Sequence, residues 1–272
     1  MGRATIPLCA TPLPSMSTIA RTFRVVILVL AVSLAVGAQT LTVAAAADLG
    51  PALRQLAVDF QERTGIKVAL VLGSSGSLAT QIEHGAPYDV FLSADMAFPH
   101  RLVNEGHGAG EVRLYAMGKL VLWVLNSSGI DVRALGFKTL TAPGVRKIAI
   151  ANPAHAPYGR AAVAALRGAN LYEPLKSRLV LGETVSQAAE FVSSGNAQVG
   201  IVPLSLALAS ELAQKGRWWK IPANTYPPIE QGGIVLKKST NAAAETFMRY
   251  LTSSAAAAVL RRSGFNVPQE PR

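Results

Sequence analysis

The sequence has few of the features that mark several protein classes. Its single cysteine, Cys9, excludes an intramolecular disulfide scaffold and a metal cage built from several cysteines. Charged residues make up only 15%, too few for a coiled coil, and the 23 glycines and 16 prolines follow no collagen-like period. With 50% hydrophobic residues, the 272-residue chain can bury one large core or two ordinary ones, which excludes a disordered chain.

Long apolar runs are also scarce. The only one, VVILVLAVSLAV at residues 25–36, follows Arg21 and Arg24 and is shorter than the roughly 20 residues of a membrane-spanning helix. A cationic start, a short apolar segment and a small-residue exit predict a signal peptide over residues 1–38, with cleavage after Ala38 and a periplasmic location. Met16 is a second candidate start. An uncleaved membrane anchor is the alternative.

The excess of basic residues is moderate and scattered. The chain carries a net charge of +10, and removing the three arginines of the signal peptide leaves about +7. The remaining lysines and arginines form only short pairs such as Lys237-Lys238, without the dense basic stripe and interleaved aromatics of nucleic-acid-binding proteins. We therefore expect no nucleic-acid partner.

From residue 41 the sequence alternates short β-branched runs with segments of helical period, which predicts βαβ units and an α/β fold. The predicted strands cover residues 41–47, 66–72, 89–94, 115–125, 147–151, 180–181, 198–202 and 233–236. The predicted helices follow Asp48 and Ser77 and cover residues 97–105, 160–167, 185–194, 242–251 and 255–262. The pattern forms two blocks without a linker, which favours two lobes joined by continuous strands near residues 115–125 and 226–236.

Four strand-to-helix junctions are candidate binding elements: Ala47-Asp48, Ser74-Ser75, Pro157-Tyr158 and Thr184-Val185. Each places the free amides of a helix N-terminus beyond the carboxyl end of a strand, where open α/β sheets bind ligands and where an anion is favoured. For any single junction, simple helix capping is the better explanation. Two junctions in each block favour the binding hypothesis, because they can converge across a cleft.

The enzyme motifs are incomplete. The segment Gly73 to Ser77 lacks the second glycine of a nucleophile elbow and the lysine of a phosphate-binding loop. The four histidines, His84, His100, His107 and His155, have no metal-ligand spacing, and only His155 lies in a junction loop. An exported hydrolase using Ser75 with His155 remains an alternative, as does a sensory module that docks on a membrane receptor. We expect no enzymatic activity and no cofactor.

Several stretches are similar to a known family, the periplasmic molybdate-binding proteins of ABC importers. They are AAAADLGPALRQLA from Ala44, GSSGSLATQIEHGAPYDVFLSAD from Gly73, GKLVLW from Gly118, IANPAHAPYGRAA from Ile150 and GETVSQAAEFVSSGNAQVGIV from Gly182. The resemblance implies a two-lobed, type II periplasmic-binding-protein fold in which each lobe has a mixed, mostly parallel sheet flanked by helices. It assigns residues 39–117 plus 226–272 to lobe I and residues 118–225 to lobe II.

The same resemblance implies a function. The protein captures molybdate or tungstate between the lobes, as a monomer, and delivers it to a membrane permease. The site binds molybdenum only in the form of the oxyanion, through Asp48, Ser75, Tyr158 and Val185. Of these four residues, Val185 can offer only its amide. Another oxyanion such as sulfate is the alternative ligand.

Two positions depart from the family pattern. Some members have a tyrosine ligand where this chain has Pro203, which offers neither an amide proton nor a hydroxyl. At the first junction an ionised Asp48 would repel a dianion, because a carboxylate only accepts hydrogen bonds. We therefore expect Asp48 to turn its carboxylate away, cap the following helix and present its backbone amide.

Overall fold

A computed structural model describes residues 40–268 and the first two residues of the chain. Apart from those two residues, the predicted signal peptide, with Cys9, Met16 and the cleavage site after Ala38, lies outside the described residues. Among the residues described, no helix is both long enough and apolar enough to cross a membrane.

Residues 40–268 contain two mixed five-stranded sheets of related topology. Sheet I is built from β1 (Leu41–Ala46), β2 (Val68–Gly73), β3 (Val90–Leu92), β4 (Gly108–Gly118) and β10 (Ile229–Leu236). Its strand order is β2-β1-β3-β10-β4. The first three strands are parallel, with Leu41 opposite Val68 and Val43 opposite Val90, and β10 runs antiparallel to both β3 and β4.

Sheet II repeats this arrangement in the second lobe. It is built from β5 (Leu120–Leu125), β6 (Ile148–Ala151), β7 (Leu179–Gly182), β8 (Val199–Pro203) and β9 (Gly216–Lys220), in the order β7-β6-β8-β5-β9. The first three strands in this order are again parallel, whereas β5 runs antiparallel to β8 and β9. The mixed, two-lobed α/β fold expected from the sequence is confirmed.

Helices flank both sheets. In the first lobe they are α1 (Gly50–Thr64), α2 (Ser75–Glu83), α3 (Ala97–Asn104), α10 (Ala243–Leu251) and α11 (Ser254–Arg262). In the second they are α4 (Val132–Leu135), α5 (Pro157–Gly168), α6 (Tyr172–Leu175), α7 (Val185–Ser193), α8 (Leu204–Leu208) and α9 (Ser210–Lys215). Short 3-10 turns occupy Ala47–Leu49, Asn126–Ser128, Gly136–Thr141, Lys176–Arg178 and Ala223–Thr225.

The apolar stripe of α1 shows how the sequence pattern builds a core. Leu53, Leu56 and Phe60 recur at helical spacing and are buried against sheet I. The ring of Phe60 packs edge to face on that of Phe247 in α10, with 5.1 Å between the ring centroids. Burying each of these side chains stabilises the fold by about 1.5–3 kcal/mol. The helix ends at Gly65, whose φ of +74° suits glycine.

The chain crosses between the lobes at Lys119, where the sequence pattern misled. The sequence predicts a single strand over residues 115–125. Instead the chain leaves sheet I after Gly118 and enters sheet II at Leu120, and β4, an edge strand, is partly exposed. An unbroken apolar run can thus serve two sheets in succession. The chain returns between β9, which the sequence analysis missed, and β10.

Helix α5 begins three residues earlier than expected, at Pro157, because proline suits the first helical position. Its start is pressed against the carboxyl end of β6. A Cβ on Gly159 would lie 2.2 Å from the Ala151 carbonyl oxygen, which cannot move without displacing the strand.

We therefore expect Gly159→Ala to destabilise the protein by about 2–3 kcal/mol through overpacking. Urea unfolding should show a lower midpoint for this variant. Gly168→Ala adds the same methyl at the other end of α5, where the nearest atom is 3.1 Å away, and should cost far less. Equal losses in the two variants would contradict this account of how α5 is placed.

Candidate functional site

The four junctions predicted from the sequence meet around a cavity between the lobes. Asp48 and Ser75 approach it from the first lobe, and Tyr158 and Val185 approach it from the second. All four are nearly inaccessible to solvent, with exposed fractions of 1%, 1%, 2% and 6%. The structure therefore brings together residues that are far apart in the chain, with 137 positions separating Asp48 from Val185. Whether they bind an oxyanion stays a prediction.

On the first lobe, Ser75 opens α2 and presents a hydroxyl. Ser74 caps this helix by accepting a hydrogen bond from the Ser77 amide at 3.4 Å, so Ser75 has no capping role. The Ser75 Oγ accepts a hydrogen bond from the Ala94 amide at 2.9 Å. Because its oxygen is already accepting, the hydroxyl proton is oriented away from Ala94 and can be donated to a ligand.

On the second lobe, the donors are main-chain amides. Val185 is the first residue of α7, whose cap is Thr184; the Thr184 hydroxyl accepts from the Gln187 amide at 3.1 Å. Tyr158 is the second residue of α5. Amides in the first turn of a helix have no acceptor within the helix, so those of Tyr158 and Val185 can donate into the cavity.

The cavity is small and carries no basic side chain. The centre of a water-sized sphere can move through about 10 Å³, the scale of a single small polar species. The described residues that line it are Ala46, Ala47, Asp48, Gly73, Ser74, Ser75, Ala94, Ala156, Pro157, Tyr158 and Val185. Without lysine or arginine in this lining, the helix termini are the groups that can favour an anion here.

The structure corrects the expectation that the Asp48 carboxylate caps the following helix. Asp48 lies inside the 3-10 turn Ala47–Leu49, and neither this turn nor α1 has a side-chain cap. Because the turn precedes α1, Asp48 is not at the helix boundary. Its Oδ2 accepts a hydrogen bond from Gln231 Nε2 at 2.6 Å, whereas Oδ1 is buried and has no partner.

Burial raises the pKa of the Asp48 carboxyl from 3.8 to about 7. The hydrogen bond from Gln231 lowers it only in part. No basic side chain is among these influences. A substantial fraction of Asp48 is therefore protonated at neutral pH, and a protonated carboxyl can donate a hydrogen bond.

Gln231 connects the carboxylate to the strands that join the lobes, and the sequence analysis missed it. Fully buried in β10, it accepts from the Tyr115 hydroxyl at 3.0 Å through Oε1, and its Nε2 also lies 3.2 Å from the Tyr158 hydroxyl. A polar side chain just before the predicted strand 233–236 was the available signal.

The Tyr158 phenol is directed at β4 and β10, the strands of sheet I that lead into and out of the second lobe. A Cβ on Gly118 would lie 1.9 Å from its hydroxyl oxygen, so only glycine admits the ring there. Burial raises the pKa of Tyr158 well above its usual range, which keeps the phenol neutral. With Asp48 and Gln231 as its neighbours, the phenol is engaged, and the amide is the donor that Tyr158 offers the cavity.

The two lobes touch directly beside the cavity. The Gly76 amide donates to the His155 carbonyl at 2.9 Å, and the Ser205 hydroxyl donates to the Asp48 carbonyl at 2.8 Å. Arg160 forms an ion pair with Asp95 across the same boundary. These contacts hold the cleft closed around the cavity.

The hydrolase alternative finds no support in this geometry. The His155 ring pairs with Glu183, Nε2 to Oε2 at 3.0 Å, and Ser75 is bonded to Ala94. Within residues 40–268, no three histidine, cysteine or acidic side chains are grouped to hold a metal ion. Pro203 ends β8 and is not among the cavity residues.

Comparison with known proteins agrees with this geometry. The family model of bacterial extracellular solute-binding proteins matches residues 41–266. The molybdate-binding protein of Rhodobacter capsulatus is 37% identical over 240 residues, which is 88% of this chain and 92% of that protein. The periplasmic molybdate-binding protein of Azotobacter vinelandii superposes with a TM-score of 0.79 at 37% identity, covering 84% of this chain and all of that one. The sulfate-binding protein of Mycobacterium tuberculosis, at 18% identity and a TM-score of 0.71, shares the fold.

The raised pKa of Asp48 predicts a pH dependence of stability. Between about pH 4 and about pH 7 the native state holds this proton and the unfolded state releases it, so stability falls as pH rises. From about pH 5 to about pH 8 the loss due to Asp48 should be about 2–3 kcal/mol. Asp48→Asn should remove this part of the slope, as measured by urea unfolding of both proteins without oxyanion. Parallel stability curves for the two proteins would contradict the assignment.

Proposed function

Because this chain belongs to the family of bacterial extracellular solute-binding proteins, we propose that it captures molybdate, and tungstate, for an ABC importer. The oxyanion is cargo and not a cofactor, and the relatives are binding proteins and not enzymes. Delivery to a membrane permease is part of this proposal.

The observation that carries the proposal is the convergence of helix N-termini from both lobes on one small cavity. Unpaired amides and the positive ends of helix dipoles favour an anion. The space between these donors is narrow, because the centre of a water-sized sphere can move through only about 10 Å³ of it. A tetrahedral dianion presents only acceptors, which matches a lining of amides and a hydroxyl.

The strength of capture follows from these donors. The Ser75 hydroxyl and the first-turn amides of Tyr158 and Val185 each make a charge-assisted hydrogen bond of about 1.5–3 kcal/mol. The donors are fixed by the fold before the ligand arrives, which reduces the ordering cost of binding. Closure excludes water, and the hydrogen bonds act in a low dielectric.

The lobe boundaries and the export route belong to the same proposal. The resemblance assigns residues 39–117 plus 226–272 to lobe I and residues 118–225 to lobe II. The crossing at Lys119 and the return between β9 and β10 support this division, with Gly118 as the last residue of sheet I before the crossing. Residues 1–38 act as the signal peptide that delivers a monomer to the periplasm.

Isothermal titration of the purified protein with molybdate, tungstate and sulfate at one ionic strength tests the ligand. We expect tight one-to-one binding of molybdate and tungstate and little heat with sulfate. The three oxyanions share one acceptor pattern, so the selectivity has to rest on their difference in size. If sulfate bound more strongly than the other two, sulfate and not molybdate would be the ligand of this protein. Folded, ligand-free protein that binds none of the three would overturn the proposal.

Val185→Pro tests the amide contribution. The preceding residue, Thr184, has a ψ of 165°, which proline tolerates in its predecessor, and proline is accepted at the first position of a helix. Loss of one charge-assisted donor should weaken oxyanion binding by about 10- to 100-fold in titration. Val185→Ala keeps the amide and serves as the matched control, with a much smaller loss. Equal affinities for folded Val185→Pro and Val185→Ala would remove Val185 from the site.

A further inference from the structure

Asp48 poses an electrostatic problem that the proposed function does not solve. A residue of the cavity wall carries a carboxylate, which can only accept hydrogen bonds, whereas the proposed ligand is a dianion with four acceptor oxygens. In a closed, water-poor cavity the two would repel strongly. Neither lysine nor arginine is present among the lining residues to compensate.

The two oxygens of the carboxyl are in different environments. Oδ2 accepts from Gln231 at 2.6 Å, which requires a lone pair there. Oδ1 is fully buried and has no hydrogen-bond partner among the described residues. A buried polar atom without a partner is costly, and such an atom in a native fold calls for an explanation. An acid proton on Oδ1 provides one, since it needs only an acceptor in the cavity.

We propose that Asp48 binds the oxyanion as a neutral carboxylic acid, with Oδ1–H donating to a ligand oxygen, so that capture takes up one proton. This inference rests on the proposed function and deepens it. The step is balanced: one proton from solvent joins the Asp48 carboxylate as the dianion enters, and no other covalent bond changes. Repulsion is thereby converted into a further hydrogen bond.

The surroundings of Asp48 support this assignment. The titratable groups that face it are Tyr158 of α5 and Tyr115 of β4, and burial raises the pKa of both phenols, which keeps them neutral. The raised pKa of Asp48 itself agrees with a group that keeps a proton when enclosed.

The elements packed against the Ala47–Leu49 turn bring no counter-charge to the carboxylate. Arg54 of α1 and Glu190 of α7 line a separate groove beside Pro51. The α8 contact is the Ser205 hydroxyl, which donates to the Asp48 carbonyl and not to its side chain. Asp95 is paired with Arg160.

Proton uptake is measurable without a variant. Titration of the wild-type protein with molybdate in two buffers of different ionisation enthalpy gives the number of protons bound. We expect about one proton per molybdate near pH 8 and far fewer near pH 6, where Asp48 is already protonated. The dissociation constant should rise about tenfold per pH unit above about pH 7.

Variants assign the proton to Asp48. Asp48→Asn places a permanent amide donor at this position, so the dissociation constant should change less than about twofold per pH unit, and binding near pH 9 should be tighter than in the wild type. Asp59→Asn makes the same change on α1, away from the cavity, and should keep the wild-type slope.

Each result separates this inference from the proposed function. Tight molybdate binding without proton uptake overturns the inference alone. A folded Asp48→Asn protein that keeps the wild-type pH slope, or that fails to bind molybdate near pH 6, overturns it as well. Folded wild-type protein that binds no molybdate at any pH overturns the proposed function and this inference with it.

Discussion

The site depends on helix amides that have no acceptor inside their own helices. Every helix leaves its first-turn N–H groups unpaired, and these groups must find partners when they are buried. Here the starts of α2, α5 and α7 turn toward the same small cavity, together with the Ala47–Leu49 turn. Any species that fills this cavity well has to be an acceptor in several directions at once.

The topology makes this convergence possible. In both sheets three parallel strands lead into helices at their carboxyl ends, and the strand that connects the lobes runs antiparallel beside them. The same arrangement, used twice, brings the carboxyl edges of both sheets to the interlobe boundary. The crossing at Lys119 and the return before β10 join the halves. The cleft thus arises from the order of the strands, and local residues only determine what it binds.

Sequence reasoning located the junctions because their signals are local. Strand-like runs that end at Ala47, Leu72 and Leu181, followed by capping residues such as Ser74 and Thr184, predict where helices begin. The contacts of Asp48 could not be found in this way. Its partner, Gln231, is 183 positions away, and the cap predicted for its side chain depended on the absence of a 3-10 turn. The division of the run 115–125 between two sheets was hidden for the same reason, because periodicity does not show which sheet a strand joins.

The contact between Gly76 and His155 has unequal demands on its two partners. From the second lobe it uses the main-chain carbonyl of residue 155, a group that every amino acid carries. From the first lobe it requires close approach, since a Cβ at position 76 would lie 2.7 Å from the His155 Cβ and 2.9 Å from its carbonyl oxygen. Closure of the cleft therefore leaves the side chain at position 155 free to vary and admits only glycine at position 76.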